Sequence, residues 1–360
     1  MRKSLWMLGL AAVAMTSCTQ SEVLEVAENR AIGFEDVFVG KATRGVTATI
    51  VDKASDLHGD DKGFYVYGGY ETVTDVFDNT HVTYSSGSTP EWGYSPIRYW
   101  VKDKYYKFVA YAPVMNVTPT FSYGTTSTPS ANDATLTFTD VVIDGTVNNQ
   151  KDFIVAKSDV ITLGDSYTTK VQFNFFHALS MIKVTLRNGF ADGVKVAISD
   201  FQITGINTKG NFTTASTDFS AGSCGTWSNQ TSAETTSTFI DAGTGGTPLS
   251  SRWTSSTDDT NTSKAYSNEF IVIPQTIGTV KVKFNVTVAD AAGTEIVSDK
   301  LFDVSIPNGT TTNWIINNRY HYTLTIDGKS VGLTPIEFDD PDVEQWGAYG
   351  QEEGLVTSGS

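Results

Sequence analysis

Val280, Val282, Phe284, Val286 and Val288 are apolar at every second position, with Lys281, Lys283, Asn285 and Thr287 between them. A period of two is the side-chain period of a β-strand, whose successive residues point to opposite faces. The same rule governs Val171, Phe173 and Phe175, the run Met181 to Leu186, Phe270 to Ile273, and Tyr320, Tyr322, Leu324 and Ile326. Gly, Asn, Asp, Ser and Thr gather between these runs, and no long segment carries the helical period. Half-buried strands divided by turn-rich joints predict an all-β chain built of β-sandwiches. Two stretches read as exposed loop insertions: Thr125 to Ala134, and Asp241 to Ser263 with Leu249 and Trp253 as its large apolar residues. No fixed-period repeat is present, which argues against a solenoid or propeller.

The chain has 360 residues, with 20 Phe, 15 Tyr and 7 Trp, enough to fill two separate cores. Its formal net charge is -15, which excludes nucleic acid as a partner, because phosphate binding needs a basic surface. An acidic surface suits an exported protein that must stay soluble.

The first residues point to export. Arg2 and Lys3 precede an apolar run from Leu5 to Met15, which ends in Thr16-Ser17-Cys18. The run is too short to span a bilayer and reads as a secretion signal. A cysteine directly after Thr16-Ser17 resembles a bacterial lipobox, so residues 1–17 are expected to be removed and Cys18 acylated on its sulfur and new amine. Acyl chains, at about 0.8 kcal/mol per buried methylene, would hold the protein at the outer membrane. Cys224 is then left without a disulfide partner and reads as a small structural residue beside Gly222 and Gly225.

No catalytic or cofactor motif stands out, and the chain reads as a non-enzyme. His58, His81, His177 and His321 are scattered singly, none at metal-ligand or catalytic spacing. His177, inside Phe175-Phe176-His177-Ala178-Leu179, reads as a buried, hydrogen-bonded core histidine. G-x-S-x-G, P-loop and H-E-x-x-H patterns are absent. Asp339, Asp340 and Asp342 cluster around Pro341, but lack the EF-hand spacing and its glycine, so a solvated acidic turn is the reading and no metal is assigned. Trp92, Trp227 and Trp253 in polar surroundings leave a second function open, a surface lipoprotein that stacks aromatics on glycans.

The segment after Cys18 carries the most information. Ile32 and Phe34 alternate with Gly33 and Glu35, and Val37 and Val39 follow, which predicts one strand with a bulge at Asp36. Gly40 to Arg44 is a polar, basic connection, and Val46, Ala48 and Ile50 begin another alternating run. An arginine in a loop between two apolar strands is open to proteolysis.

Several separated pieces of the chain, in order, resemble the fimbrillin family, the type V pilins exported as lipoproteins. They are the lipobox at Cys18, Ile32-x-Phe34 followed by Thr43-Arg44, and Tyr99-Trp100 leading to Tyr106-x-Phe108-x-Ala110-Tyr111-Ala112-Pro113. Further on come Lys151 to Ala156, Val171-x-Phe173-x-Phe175-Phe176-His177-Ala178-Leu179-Ser180, and Asn317-Asn318-x-Tyr320-x-Tyr322-x-Leu324. The resemblance implies two tandem transthyretin-like β-sandwiches and a first strand that an arginine-specific protease removes together with the lipid. The next subunit's strand then fills the groove, and the subunits polymerise into a fimbrium that serves adhesion. Arg44–Gly45 is the preferred cut, with Arg30 second, since a cut at Arg30 would leave the strand in place. The displaced strand would carry Ile32, Phe34, Val37 and Val39. The donor would come from the C-terminus, with Ile336, Phe338, Val343 and Trp346 inserted. The expected partners are other pilin subunits, the protease, a host receptor or glycan, and the membrane through Cys18. The expected divisions are residues 1–17 as signal, 18–44 as lipidated propeptide, 45–165 and 166–334 as the two sandwiches, and 335–360 as the donor segment, with a joint near Gly164-Asp165-Ser166.

Overall fold

The computed structural model describes residues 30–35, 37–39, 51, 53–71, 73–87, 90–113, 115–125, 131–163, 167–232, 238–240, 247–249, 252, 264–306, 311–332 and 341–345. The described chain is all-β apart from two short 3-10 turns, Ala54–Leu57 and Val147–Asn149. Among the described residues no helix is long and apolar enough to cross a membrane.

The largest sheet has eight strands. Its order runs Phe38–Val39, Asn174–His177, Ile154–Lys157, Tyr105–Ala112, Gly59–Tyr70, Val73–Ser85 and Glu91–Gly93, with Ile161–Thr162 added on Tyr105–Ala112. Alternation along these strands feeds two cores. Phe64, Val66, Phe108, Ala110, Ile154, Phe173 and Phe175 bury one face in a first core. Tyr67, Val109, Tyr111 and Val155 bury the other against Leu136, Phe138 and Phe212, which belong to a four-stranded sheet ordered Gly225–Thr231, Lys209–Thr214, Thr135–Val142 and Thr120–Ser122. The second core continues between two further sheets. One is ordered Ala265–Val272, Ser180–Asn188, Asn318–Ile326 and Asp342–Gln345. The other is ordered Thr238–Ile240, Lys195–Thr204, Lys281–Ala289 and Glu295–Ser305. Phe201 of the second sheet stacks on Phe270 of the first at 5.6 Å between ring centroids.

The alternating runs read from the sequence lie where period two puts them. Val280, Val282, Phe284, Val286 and Val288 are all buried, as are Tyr320, Tyr322, Leu324 and Ile326. Two loop expectations need correction. Residues 125 and 131–134 hold no strand, yet the far end of that stretch is not exposed. Asn132 donates through Nδ2 to the Phe108 and Ser158 carbonyls at 2.9 and 2.8 Å, Asp133 pairs with the buried Lys107, and Ala134 is fully buried. Inside the second stretch, Thr247–Leu249 forms a strand on Val196–Ile198, because Leu249 is apolar enough to fill the core there.

Strand pairing also runs across the joint expected at residues 165 and 166. Asn174–His177 pairs back onto Ile154–Lys157, and Thr135–Val142 pairs with Lys209–Thr214. Measured by pairing, the change of sheet comes between His177 and Ser180. The reason is the opening segment: Val171, Phe173 and Phe175 are spent on the core that it fills.

Candidate functional site

The opening segment is packed inside the protein. Ile32, Phe34, Val37 and Val39 are between 1% and 4% exposed, all in the first core. The expected single strand is two short ones, Gly33–Phe34 and Phe38–Val39. Gly33 and Phe34 pair in parallel with Lys170 and Val171, and Phe38 and Val39 pair in parallel with Asn174 and Phe175. Between these stretches the segment has three residues where its partner has two, which makes a β-bulge. The extra residue changes the phase, so inward positions fall at 32, 34, 37 and 39 instead of following a strict period of two.

A second wall closes the other side. Ala31 bridges Tyr99 antiparallel. The Ile32 amide donates to the Arg98 carbonyl at 2.8 Å, and the Trp100 amide donates to the Arg30 carbonyl at 2.8 Å. The Tyr94 hydroxyl donates to the Ile32 carbonyl at 2.7 Å, while the Glu35 amide donates to the Val171 carbonyl at 2.9 Å. The segment is thus a strand laid between two walls, residues 98–100 and 170–175.

Phe34 anchors it. Its ring meets Phe64 at 5.6 Å, Phe77 at 5.7 Å and Tyr94 at 5.7 Å edge-on, and stacks with Phe173 at 6.0 Å. These are favourable aromatic geometries, in addition to the buried area. Burying four apolar side chains at roughly 1.5–3 kcal/mol each holds the segment with roughly 6–12 kcal/mol before ordering costs.

Buried phenols line both cores, Tyr94 and Tyr106 at the first and Tyr67 in the second. Burial raises Tyr94 and Tyr106 to about 12, with the Arg98 and Val101 backbones opposing, and burial with the Asp78 charge raises Tyr67 to about 12. A phenol whose folded value lies above the unfolded value contributes stability that is full below pH 10 and is lost as pH rises through about 12. The urea midpoint is therefore expected to hold level up to pH 10 and to fall between 10 and 12. A midpoint level through pH 12 would show these phenols to be unimportant.

The cleavage candidates differ in surroundings. Arg44 and Gly45 lie outside the described residues, as do Cys18 and the run from Val46 to Ile50. Both flanks of residues 40–50 are fixed, with Val39 and Val51 buried in the same core. Arg30 is exposed at the entrance of the segment, its guanidinium 4.7 Å over the Tyr167 ring.

At the C-terminus, Ile336, Phe338 and Trp346 lie outside the described residues, as do Asp339 and Asp340. Val343 is 45% exposed on Asp342–Gln345, which pairs antiparallel with Asn318–His321 at the edge of its own sheet. Among the described residues no group of three or more His, Cys, Asp or Glu forms a metal site.

One cluster escaped the sequence reading. His177 is buried, its Nδ1 3.0 Å from Asp152, whose other carboxylate oxygen accepts the Val51 amide at 3.0 Å. The Cys224 thiol donates to the His177 carbonyl at 3.6 Å. Cys, His and Asp together suggest a catalytic triad, but the thiol faces the backbone and not the ring, and burial pushes it up to about 12. A thiol held protonated is no nucleophile. The trio ties the entry at Val51 to the end of Asn174–His177, and only the spatial neighbourhood could have revealed it. His321, in contact with Thr185 Oγ1 at 2.8 Å, is driven down to about 3 by burial and by Lys183, Arg187 and Arg319.

Trp92 and Trp227 are buried, at 6% and 9% exposed, and offer no face for a sugar ring. Trp227 instead donates its indole N–H to the Ala178 carbonyl at 2.6 Å. Trp253 lies outside the described residues.

A family model described as fimbrillin-like matches residues 48–346. The crystal structure of a fimbrial protein from Bacteroides vulgatus is similar at a TM-score of 0.50 and 18% identity, covering 88% of this chain and 100% of that one. A candidate cell adhesion protein from Bacteroides uniformis covers 88% of this chain and 97% of its own, at 18% identity and a TM-score of 0.48. No curated protein matches significantly. The first structural likeness supports the fold, an all-β fimbrial sandwich architecture, and the family match takes in most of the sequence. The chain belongs to the fimbrillin-like family.

Proposed function

We propose that this chain is a fimbrial subunit, made as a lipoprotein acylated at Cys18, cut after Arg44, and joined to its neighbour by strand exchange. One observation carries the reading: the segment Ile32 to Val39 fills a groove between two walls of the protein's own core. A cut between residues 40 and 50 would leave this strand held by packing and hydrogen bonds alone. A cut after Arg30 would not free it.

Loss of the strand would bare the edge of Asn174–His177, the amides and carbonyls of residues 98–100, and an aromatic-lined trough. An open edge beside an apolar trough is a template for another strand. A head-to-tail contact of this kind does not close on itself and gives a filament. The donor would come from the C-terminal segment, including Ile336, Phe338, Val343 and Trp346. Val343 would first have to leave its pairing with Tyr320, a modest loss for a four-residue edge strand. Adhesion, with a host receptor or glycan at the filament surface, is the role the family suggests.

The test is to treat the purified chain with an arginine-specific protease. The reading expects loss of the fragment ending at Arg44 from the folded body, together with an SDS-resistant ladder of assembled subunits. Retention of that fragment, with the body staying monomeric, would overturn it.

A further inference from the structure

Lys107 is a lysine inside the protein. Its side chain is 2% exposed, and its ammonium contacts Oδ1 of Asp133, itself 15% exposed. Lys104, Lys209, Lys281 and Lys283 also pair with carboxylates, but they are 35% to 45% exposed, where water solvates both partners. A buried ion pair is costly, because both charges leave water. We propose that Lys107 and Asp133 condense into an intramolecular amide, Nζ joined to Cγ, with release of water. The bond would form whether or not strands are exchanged.

The carboxyl group is held in place. Asn132 is fixed by its Nδ2 bonds to the Phe108 and Ser158 carbonyls and accepts the Ala134 amide on Oδ1 at 3.2 Å. Asp133, between them, is thereby aimed at Lys107. Its Oδ2 accepts the Thr125 amide at 2.9 Å. Gly124, at φ +84°, lies against the same group: a Cβ there would sit 2.3 Å from the Asp133 Cγ, so only glycine lets the backbone close over the carboxyl. The Tyr123 ring covers the Lys107 Nζ at 4.7 Å from its centroid. Nucleophile and electrophile are in contact, fixed and shielded from solvent, the conditions under which proximity lowers a barrier most.

The step balances without a co-reactant. The ammonium first passes a proton to Oδ1, leaving a neutral amine and a neutral acid. Nζ then attacks Cγ, and the Thr125 N–H faces the oxygen on which negative charge develops. The bond from Cγ to Oδ1 breaks, and that oxygen departs as water with two of the three ammonium protons. One proton stays on the amide nitrogen, and the charge is zero before and after.

The second proton needs a carrier, and Lys157 is placed for it. Its Nζ donates to the Asn132 carbonyl at 3.0 Å and to the Ala215 carbonyl at 2.5 Å, next to the reacting pair. Burial, opposed by the Asp133 charge and aided by that of Lys107, brings Lys157 down to about 8. An amine that exchanges its proton near neutrality is a fit general acid and base. The product would tie Tyr105–Ala112 of the eight-stranded sheet to the start of Thr135–Val142 of the four-stranded sheet, so that the two layers could not part under tension.

Trypsin tests the bond on the purified full chain, unfolded before digestion. Lysines 104, 107 and 151 follow one another as cleavage sites, with none between 107 and 151. An amide at Lys107 blocks the middle cut, so the expected product is a single peptide of residues 105–151, lighter than its sequence by one water. Lys107→Arg keeps the ion pair but offers no amine, and should give residues 105–107 and 108–151 at full mass. Separate full-mass peptides from the unsubstituted chain would overturn the proposal. So would loss of water that persists in Lys107→Arg, which would place the dehydration elsewhere. Lys157→Arg keeps the charge but cannot give up its proton. It is expected to slow condensation in freshly folded chain by about a hundredfold. An unchanged rate would overturn the role of Lys157.

Discussion

Arg44→Ala is expected to leave the chain lipidated and unassembled, with the loss of polymer essentially complete. The effect is large because of how the opening strand is tethered. Val39 and Val51 are both buried in one core, and the eleven residues 40–50 join them. While that connection is intact, the resident strand competes with any incoming one at an effective concentration on the order of millimolar. A donor present at micromolar concentration is then disfavoured by on the order of a thousandfold, even with equal contacts. Cleavage removes the tether and changes no contact in the groove. Immunoblots of cells carrying the variant should show monomer in the membrane fraction and no SDS-resistant ladder. Undiminished ladders from Arg44→Ala would mean that this arginine is not the gate.

Phe34→Ala is expected to destabilise the uncut precursor by about 3–5 kcal/mol, the range for truncating a fully packed phenylalanine. Phe34 is 3% exposed and touches four rings, so alanine would leave a cavity that no small shift can close. Urea unfolding of the full chain measures the loss directly. After cleavage the same variant should release its N-terminal fragment far faster than the unsubstituted chain, because the missing ring weakens the resident strand and leaves the donor's Phe338 untouched. A loss below about 1 kcal/mol would show that the strand does not depend on its anchor.

Much of this arrangement was legible in the sequence. Alternation located the strands at Val280 to Val288 and Tyr320 to Ile326, since a half-buried strand must repeat at every second residue. The inward set at 32, 34, 37 and 39 was also readable, including the bulge that shifts its phase. What sequence could not supply is what that segment lies against. The walls at residues 98–100 and 170–175 are separated from it by tens of residues in the chain, and strand partners at such distances leave no local mark. The run Val171 to Phe175 looks like the opening of a new domain, yet it closes the groove of the first core. The cluster of Asp152, His177 and Cys224 was invisible because each member is unremarkable alone.

Fimbrial proteins of this family work at the cell surface, among other fimbrial subunits. For this chain the central claim is that the strand from Ile32 to Val39 is replaced during assembly. N-terminal sequencing and intact mass of subunits taken from assembled filaments test it most directly. The account predicts a first residue of Gly45 and no fragment containing Phe34 in the filament. Subunits that begin at acylated Cys18, or filaments that retain residues 32–39, would contradict it.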